Sequence, residues 1–333
     1  MAGKWAVALG VLGLFMAGSA SANRNTPQYT SLTVFGDSLV DSGNFYNYKT
    51  TVTPDPVPAY FLPDAALGYV DGRFTNGYDY PDLLSIDLFG HPTTPSRLGG
   101  NNFAYGGARI VDTGDTIPAL QAQLDAFKGT GQAVDPNGLY ILNFGANDVF
   151  GAEGILPVSG IGSYPDVSSY LKAAADQYVA GIQALNDMGA RNIFITDFPL
   201  AGDPLTIEAN QDLAEALTTL KLNSATDLMV YSLSGFNVRV LSNPAAFGLP
   251  PQTLSSSCID AGAQATGCSG YFSFDGIHPT AAIQAAGYRD INRQFGLASV
   301  PEPTTWALMW IGFGVIGAAL RGRRKSKLLP AAG

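Results

Sequence analysis

One serine and one histidine, far apart in the chain, are the residues best suited to do chemistry together. Ser38 sits in Gly36-Asp37-Ser38-Leu39, just after an apolar run, and His278 closes Asp275-Gly276-Ile277-His278. A serine hydroxyl is a poor nucleophile until a base takes its proton. The base needs an acid partner to hold its tautomer and stabilise its charged form. The chain has 2 histidines, and only His278, not His91, follows a carboxylate by three residues. If the two segments meet in space, Ser38, His278 and Asp275 form a nucleophile–base–acid relay able to attack a carbonyl carbon. Each segment alone also has a plainer reading. Gly-Asp-Ser is a common turn whose serine caps the next helix, and an acid and a histidine can meet in a surface turn. His91, followed by Pro92 with no acid or thiol nearby at ligand spacing, reads as a loop histidine.

The elements that must position these residues alternate in type. Ser31 to Phe35 is a short apolar, β-branched run and predicts a buried strand; Leu139 to Phe144 and Asn192 to Thr196 predict two more. Val167 to Met188 has helical spacing, with Tyr170, Leu171, Ala174, Tyr178, Ile182 and Leu185 on one face and Gly189 as its stop. Residues 207 to 230 carry a second long helical pattern, Phe236 to Leu241 reads as a fourth strand, and Pro279 to Phe295 is a closing helix with proline at its start. Residues 46 to 99, rich in Pro, Gly, Tyr and Asp, read as a long irregular insertion. Its aromatics Tyr60, Phe61, Tyr69, Phe74, Tyr78 and Tyr80 could line an apolar site or form core beneath a loop. Strands alternating with helices give a parallel sheet covered on both faces, with sites at the carboxyl ends of strands. Ser38, Asn147 and Asp197 all follow such ends.

The nucleophile elbow of α/β-hydrolases needs glycine two residues either side of the serine; Gly36 fits, but Val40 holds the second position. Three further segments accompany the serine. Asn101-Asn102-Phe103-Ala104-Tyr105-Gly106-Gly107-Ala108-Arg109 holds a Gly-Gly pair, Asn143-Phe144-Gly145-Ala146-Asn147-Asp148-Val149 holds Gly-x-Asn-Asp, and Asp275-Gly276-Ile277-His278-Pro279 holds the acid and base. Together with Gly36 to Asn44 these resemble, in order, the four blocks of the GDSL, or SGNH, lipase/esterase family across residues 31 to 295. The resemblance implies an α/β fold, a three-layer α/β/α sandwich with a central parallel sheet, flavodoxin-like. It implies Ser38, Asp275 and His278 as catalytic residues, and an oxyanion hole from the N–H groups of Ser38 and Gly107 with the side-chain amide of Asn147. Gly106 rivals Gly107 for the second donor. A neutral, short asparagine and a glycine that lets backbone approach a ligand suit such a site. The implied activity is cleavage of carboxylic esters through an acyl-enzyme on Ser38, with no cofactor and no metal. The ester could be a lipid, a short-chain ester or an acylated polysaccharide. O-acetylesterase and acyltransferase activity would use the same residues, and a non-catalytic envelope or matrix binding protein on the same scaffold is the alternative from another class.

Both ends of the chain carry targeting patterns. Lys4 precedes an apolar stretch from Trp5 to Met16, and Ala20-Ser21-Ala22 is a small-residue cleavage site, so residues 1–22 read as a secretory signal peptide. Val300-Pro301-Glu302-Pro303 is followed by the uncharged segment 304–320 and then by Arg321-Gly322-Arg323-Arg324-Lys325-Ser326-Lys327. That segment is long enough for a short membrane span held by a cytoplasmic basic cluster; a buried C-terminal helix would not need the five cations after it. The order over residues 300–327 resembles the PEP-CTERM sorting signal of Gram-negative bacteria that make exopolysaccharide. It implies export, transient anchoring in the inner membrane, and cleavage by an exosortase-type membrane sorting protease, leaving the product in the periplasm, on the cell surface or secreted. Residues 23–299 are then a single hydrolase domain. Between residues 23 and 303 lie 12 Lys+Arg against all 27 Asp+Glu, a net charge of about −15 that leaves nothing basic to hold nucleic acid. Cys258 and Cys268 stand ten apart in a Ser/Gly-rich stretch and, in an exported chain, read as a disulfide stiffening the loop before Asp275; a metal pair would lack further ligands nearby.

Overall fold

A computed structural model of the protein describes residues 29–51, 62–154 and 161–298. The signal-peptide and membrane-span readings, with Tyr60 and Phe61, lie outside the described residues. Four strands, β1 (Leu32–Gly36), β2 (Leu139–Asn143), β3 (Asn192–Thr196) and β4 (Asp227–Tyr231), form one parallel sheet in the order β1-β2-β3-β4. Beyond β1, the segment around Asn102 runs parallel to it, with Val34 and Gly36 exchanging backbone hydrogen bonds with residues 101 to 105. The first two strands are buried at every position, as expected for a parallel sheet covered on both faces.

Eight helices are present among the described residues: α1 (Asn44–Thr51), α2 (Tyr80–Phe89), α3 (Leu120–Gly129), α4 (Ala146–Ala152), α5 (Val167–Met188), α6 (Pro204–Leu217), α7 (Leu233–Ser242) and α8 (Ala281–Phe295). Side chains alternate across the strands, so Phe35, Tyr140, Leu142 and Ile195 pack on α3, α5 and α6, while Val34, Ile141, Phe194 and Tyr231 pack on α2, α7 and α8. The result is the expected three-layer sandwich.

The expected β3 and α5 match the structure residue for residue. Helix α5 starts at Asp166, whose carboxylate accepts the Ser169 N–H, and stops at Gly189 in the left-handed region at φ 112°. Two expectations fail. The helical pattern at 207–230 ends at Leu217, and its last four residues, from Asp227, belong to β4, which runs on to Tyr231; Phe236 to Leu241 is not a strand but the body of α7. Ser232 explains the second failure: its hydroxyl accepts the Gly235 N–H and starts a helix through a stretch whose polar and apolar residues alternate. The 46–99 stretch is also more ordered than expected, since it holds most of α1 and all of α2.

Candidate active site

The carboxyl ends of β1 and β2 meet the turn before α8, and the predicted relay assembles there. His278 Nε2 lies 2.8 Å from Ser38 Oγ, across 240 residues of sequence, and His278 Nδ1 lies 2.6 Å from Asp275 Oδ2. His278 is 8% exposed, so most of it is shielded from solvent. Asp275 folds its turn around itself: Oδ1 accepts the backbone N–H groups of Ile277 (3.0 Å) and His278 (2.8 Å). Oδ2, besides facing His278, accepts the Tyr69 hydroxyl at 2.8 Å. Burial alone would raise this carboxyl, but the neighbouring His278 and the two amides outweigh burial and hold it down at about 2.

The nucleophile loop is held from several sides. Gln123 on α3 accepts the Gly36 N–H and donates to the Gly36 carbonyl, both at 2.9 Å. Gln284 on α8 donates to the Leu39 carbonyl at 3.2 Å. A Cβ on Gly36 would lie 2.4 Å from Val40 and 2.6 Å from the Asn143 carbonyl, so only glycine lets the chain turn there. Asp41 is buried, and its two carboxylate oxygens accept four amides, from Gly43, Asn44, Phe45 and Gly106. Asp37 accepts the Leu39 N–H through Oδ1, while its Oδ2 is buried with no hydrogen-bond partner among the described residues. Burial pushes Asp37 up to about 7 and Asp41 up to about 6, against the pull of their amide donors.

The Gly-Gly pair separates into two roles. The Gly106 N–H is committed to Asp41 Oδ2 at 2.8 Å, and a Cβ there would lie 2.3 Å from the Phe74 ring. Phe74 in turn packs against His278, ring centroids 4.8 Å apart. Gly106 is therefore small to admit Phe74. Gly107 has φ 82°, in the left-handed region, and its N–H, like that of Ser38, has no partner among the described residues. Asn147, the second residue of α4, donates from Nδ2 to the Ala108 carbonyl at 2.9 Å, and its second amide hydrogen has no partner among the described residues. Asp148 beside it is buried and accepts from Ile110, Val111 and Tyr170, tying the asparagine loop to the segment that follows the glycines. Burial pushes Asp148 up to about 6 against those donors.

Ser38, Gly107, Asn147 and His278 all border one cavity of about 560 Å³. Its remaining walls are mostly carbon, including Leu39, Phe45, Phe74, Ile117, Phe150 and Ile283. Of the insertion aromatics, Phe74 and Tyr80 reach this cavity, whereas Tyr69 backs Asp275 and Tyr78 is exposed against Arg73. Asp197 follows β3 as expected, but it accepts from Ser232 and Ser234 at the start of α7 and does not border the cavity. Cys258 and Cys268 form a disulfide, buried with Tyr69 and Phe274 in a small apolar cluster beneath Asp275. His91 is exposed and its Nδ1 lies 3.0 Å from the neighbouring Pro92 carbonyl. Sequence reasoning missed Gln123 and Gln284, and it offered Tyr69 only as a wall or core aromatic, not as a partner of Asp275. Each acts across a long sequence separation, and no local pattern marks it.

A serine, a histidine and a buried carboxylate in hydrogen-bonded series, beside amides that have no partner among the described residues on an apolar cavity, define a serine hydrolase. The comparisons with known proteins agree. Residues 32–290 match the GDSL-like Lipase/Acylhydrolase family, and residues 299–325 match the PEP-CTERM protein-sorting motif. A GDSL esterase/lipase of Arabidopsis thaliana is 28% identical over 306 residues, covering 74% of this chain and 82% of the relative. A second from the same plant is 27% identical over 331 residues, covering 80% and 91%. The solved LAE5, an alpha/beta hydrolase enzyme from the metagenome of Lake Arreo, Spain, is 12% identical with a TM-score of 0.42 over 81% of this chain and 96% of its own. The chain belongs to the GDSL-like lipase/acylhydrolase family and carries a PEP-CTERM sorting motif. It is a serine ester hydrolase marked for export.

Proposed function

We propose that Ser38, His278 and Asp275 cleave carboxylic esters of apolar acyl groups through an acyl-enzyme. Ser38 Oγ attacks the ester carbonyl carbon as His278 Nε2 takes its proton, and Asp275 stabilises the resulting imidazolium. The negative oxygen of the tetrahedral intermediate takes hydrogen bonds from the Ser38 and Gly107 N–H groups and the free hydrogen of the Asn147 amide. Collapse breaks the bond to the alcohol, which leaves with the proton from His278. Water, deprotonated by the same ring, then attacks the acyl carbonyl and releases the acid and Ser38. The reading rests above all on the unbroken series from Asp275 Oδ2 through His278 to Ser38 Oγ opening onto the cavity.

The carbon-rich walls favour an alkyl acyl chain over an acetyl group, because each buried methylene contributes about 0.8 kcal/mol. Residues 23–299 act as the hydrolase domain. The sorting motif supports a membrane sorting protease as partner, a transient inner-membrane anchor, and a final place in the periplasm, on the surface or outside the cell. The test is hydrolysis of p-nitrophenyl acetate, butyrate, octanoate and laurate by the wild type and by Ser38→Ala. Serine-dependent release that improves with chain length supports the reading. Release from acetate alone replaces the alkyl substrate with an acetyl ester, and release undiminished in Ser38→Ala removes Ser38 from the chemistry.

A further inference from the structure

We propose that Tyr69 is a positioning residue for the acid–base pair, and that it sets the pH at which His278 becomes competent as a base. The inference rests on the roles assigned above to Ser38, His278 and Asp275. Tyr69 is 206 residues from Asp275 in sequence, yet its hydroxyl donates at 2.8 Å to Oδ2, the same oxygen that faces His278 Nδ1. With two backbone amides on Oδ1, the carboxylate has four partners among the described residues, and of these Tyr69 alone lies outside the turn 275–278.

The loop carrying Tyr69 grips this turn at several points. Phe74 packs on the His278 ring, the Thr75 hydroxyl donates to the Pro279 carbonyl at 2.9 Å, and the Ala281 N–H donates to Asn76 Oδ1 at 2.8 Å. Arg73 is paired with buried Asp82 and fixes the loop from the opposite side. Tyr69 is anchored separately: its ring meets Phe274 edge-on, centroids 4.9 Å apart, beside the Cys258–Cys268 disulfide. The disulfide loop also donates Cys258 and Ile259 amides to the Ser273 and Phe274 carbonyls, immediately before Asp275. The phenol therefore has little freedom to leave the carboxylate. Burial, with Asp275 beside it, pushes the phenol well above its ordinary range, so it stays a hydrogen donor throughout the working pH range.

The direction of the effect follows from charge sharing. The O–H bond draws negative charge on Oδ2 away from His278 and so weakens the stabilisation of the imidazolium. Removing it returns that charge to the ring, favours the imidazolium, and raises the pH needed to free the base. Among the described residues, the titratable groups around His278 are Asp275 on its own turn, Tyr69 from the loop, Ser38 opposite, and, without direct contact, the buried Asp37.

The experiment compares wild type, Tyr69→Phe and Ser38→Ala as full chains, with kcat/KM for p-nitrophenyl butyrate followed from pH 5 to pH 9. Phenylalanine keeps the ring against Phe274, and thermal unfolding verifies that the fold is intact. Tyr69→Phe is expected to move the acidic limb up by about 0.5–1 pH unit. Loss of the hold on the Asp275 carboxylate, which outweighs the stronger base, is also expected to lower the plateau kcat about threefold to thirtyfold with KM nearly unchanged. A folded Tyr69→Phe with an unmoved limb overturns the proposal, whatever happens to its plateau, because a purely structural tyrosine would lower activity without moving the limb. Ser38→Ala separates the two levels. Its retained activity would sink the underlying site assignment, while its inactivity together with an unmoved Tyr69→Phe limb would sink this inference alone.

Discussion

Replacing Gln123 by leucine tests whether the nucleophile loop is held from α3. Gln123 is 1% exposed and has three hydrogen bonds, from the Gly36 N–H and to the Gly36 and Pro118 carbonyls. Leucine has a similar volume, so the packing survives and the polar loss is isolated. The Gly36 carbonyl keeps the Tyr105 N–H at 3.0 Å. The Gly36 N–H and the Pro118 carbonyl lose the partners that Gln123 supplied. Each buried orphan costs about 1–3 kcal/mol, so the change should destabilise by about 2–6 kcal/mol. At roughly 2 °C per kcal/mol for a domain of this size, Tm should fall by about 4–12 °C. Gly36 lies two residues before Ser38, so kcat/KM should also fall, by about tenfold at a temperature where the variant is folded. Thermal unfolding and ester hydrolysis read both effects. A variant melting within about 1 °C of wild type with undiminished kcat/KM would refute the reasoning.

Other consequences follow from the same geometry. Asn147→Ala should lower kcat by about 10²–10³ with little change in KM, as expected for loss of one oxyanion donor; steady-state kinetics with undiminished kcat would remove Asn147 from the site. Stability should fall as pH rises from about 4 to about 7, because folded Asp37, Asp41 and Asp148 hold their protons up to about 7, 6 and 6 while the unfolded chain releases them near 3.8. For Asp37 the shift corresponds to about 4 kcal/mol, and Asp37→Asn should flatten a plot of Tm against pH; a wild-type Tm that climbs steadily from pH 4 to pH 7 would contradict this. Asp275, held down at about 2, has the opposite sign: its contribution is present above the ordinary carboxylate value and lost as pH falls through about 2.

The sequence is most readable where a local rule meets its tertiary requirement. Helix α5 has an acidic cap, a continuous apolar face and a terminal glycine, so its ends are visible without a structure. The edge of the sheet is different. Strand β4 is five residues long and partly exposed, so its alternation is too brief to stand out against the helical pattern before it. Helix α7 reads as a strand in Phe-Asn-Val-Arg-Val-Leu and becomes a helix because Ser232 caps it and Phe236 and Val240, one turn apart, both face the core. For the site, side chains carrying chemistry in short blocks, such as Ser38 and the Asp275–His278 turn, could be picked out directly. Gly106 and Gly107 could not be told apart, because their difference lies in Phe74 and Asp41 contacts far away in sequence. Supporting residues such as Gln123 and Tyr69 are ordinary side chains made special only by what the fold places opposite them.

The most direct measurement is covalent labelling by an alkyl fluorophosphonate, followed by peptide mass spectrometry. The account predicts one adduct, on Ser38, formed in step with loss of ester hydrolysis and slowed by several orders of magnitude in His278→Ala. Complete loss of hydrolysis with the adduct on another residue, or full ester activity in a chain quantitatively labelled at Ser38, would contradict it.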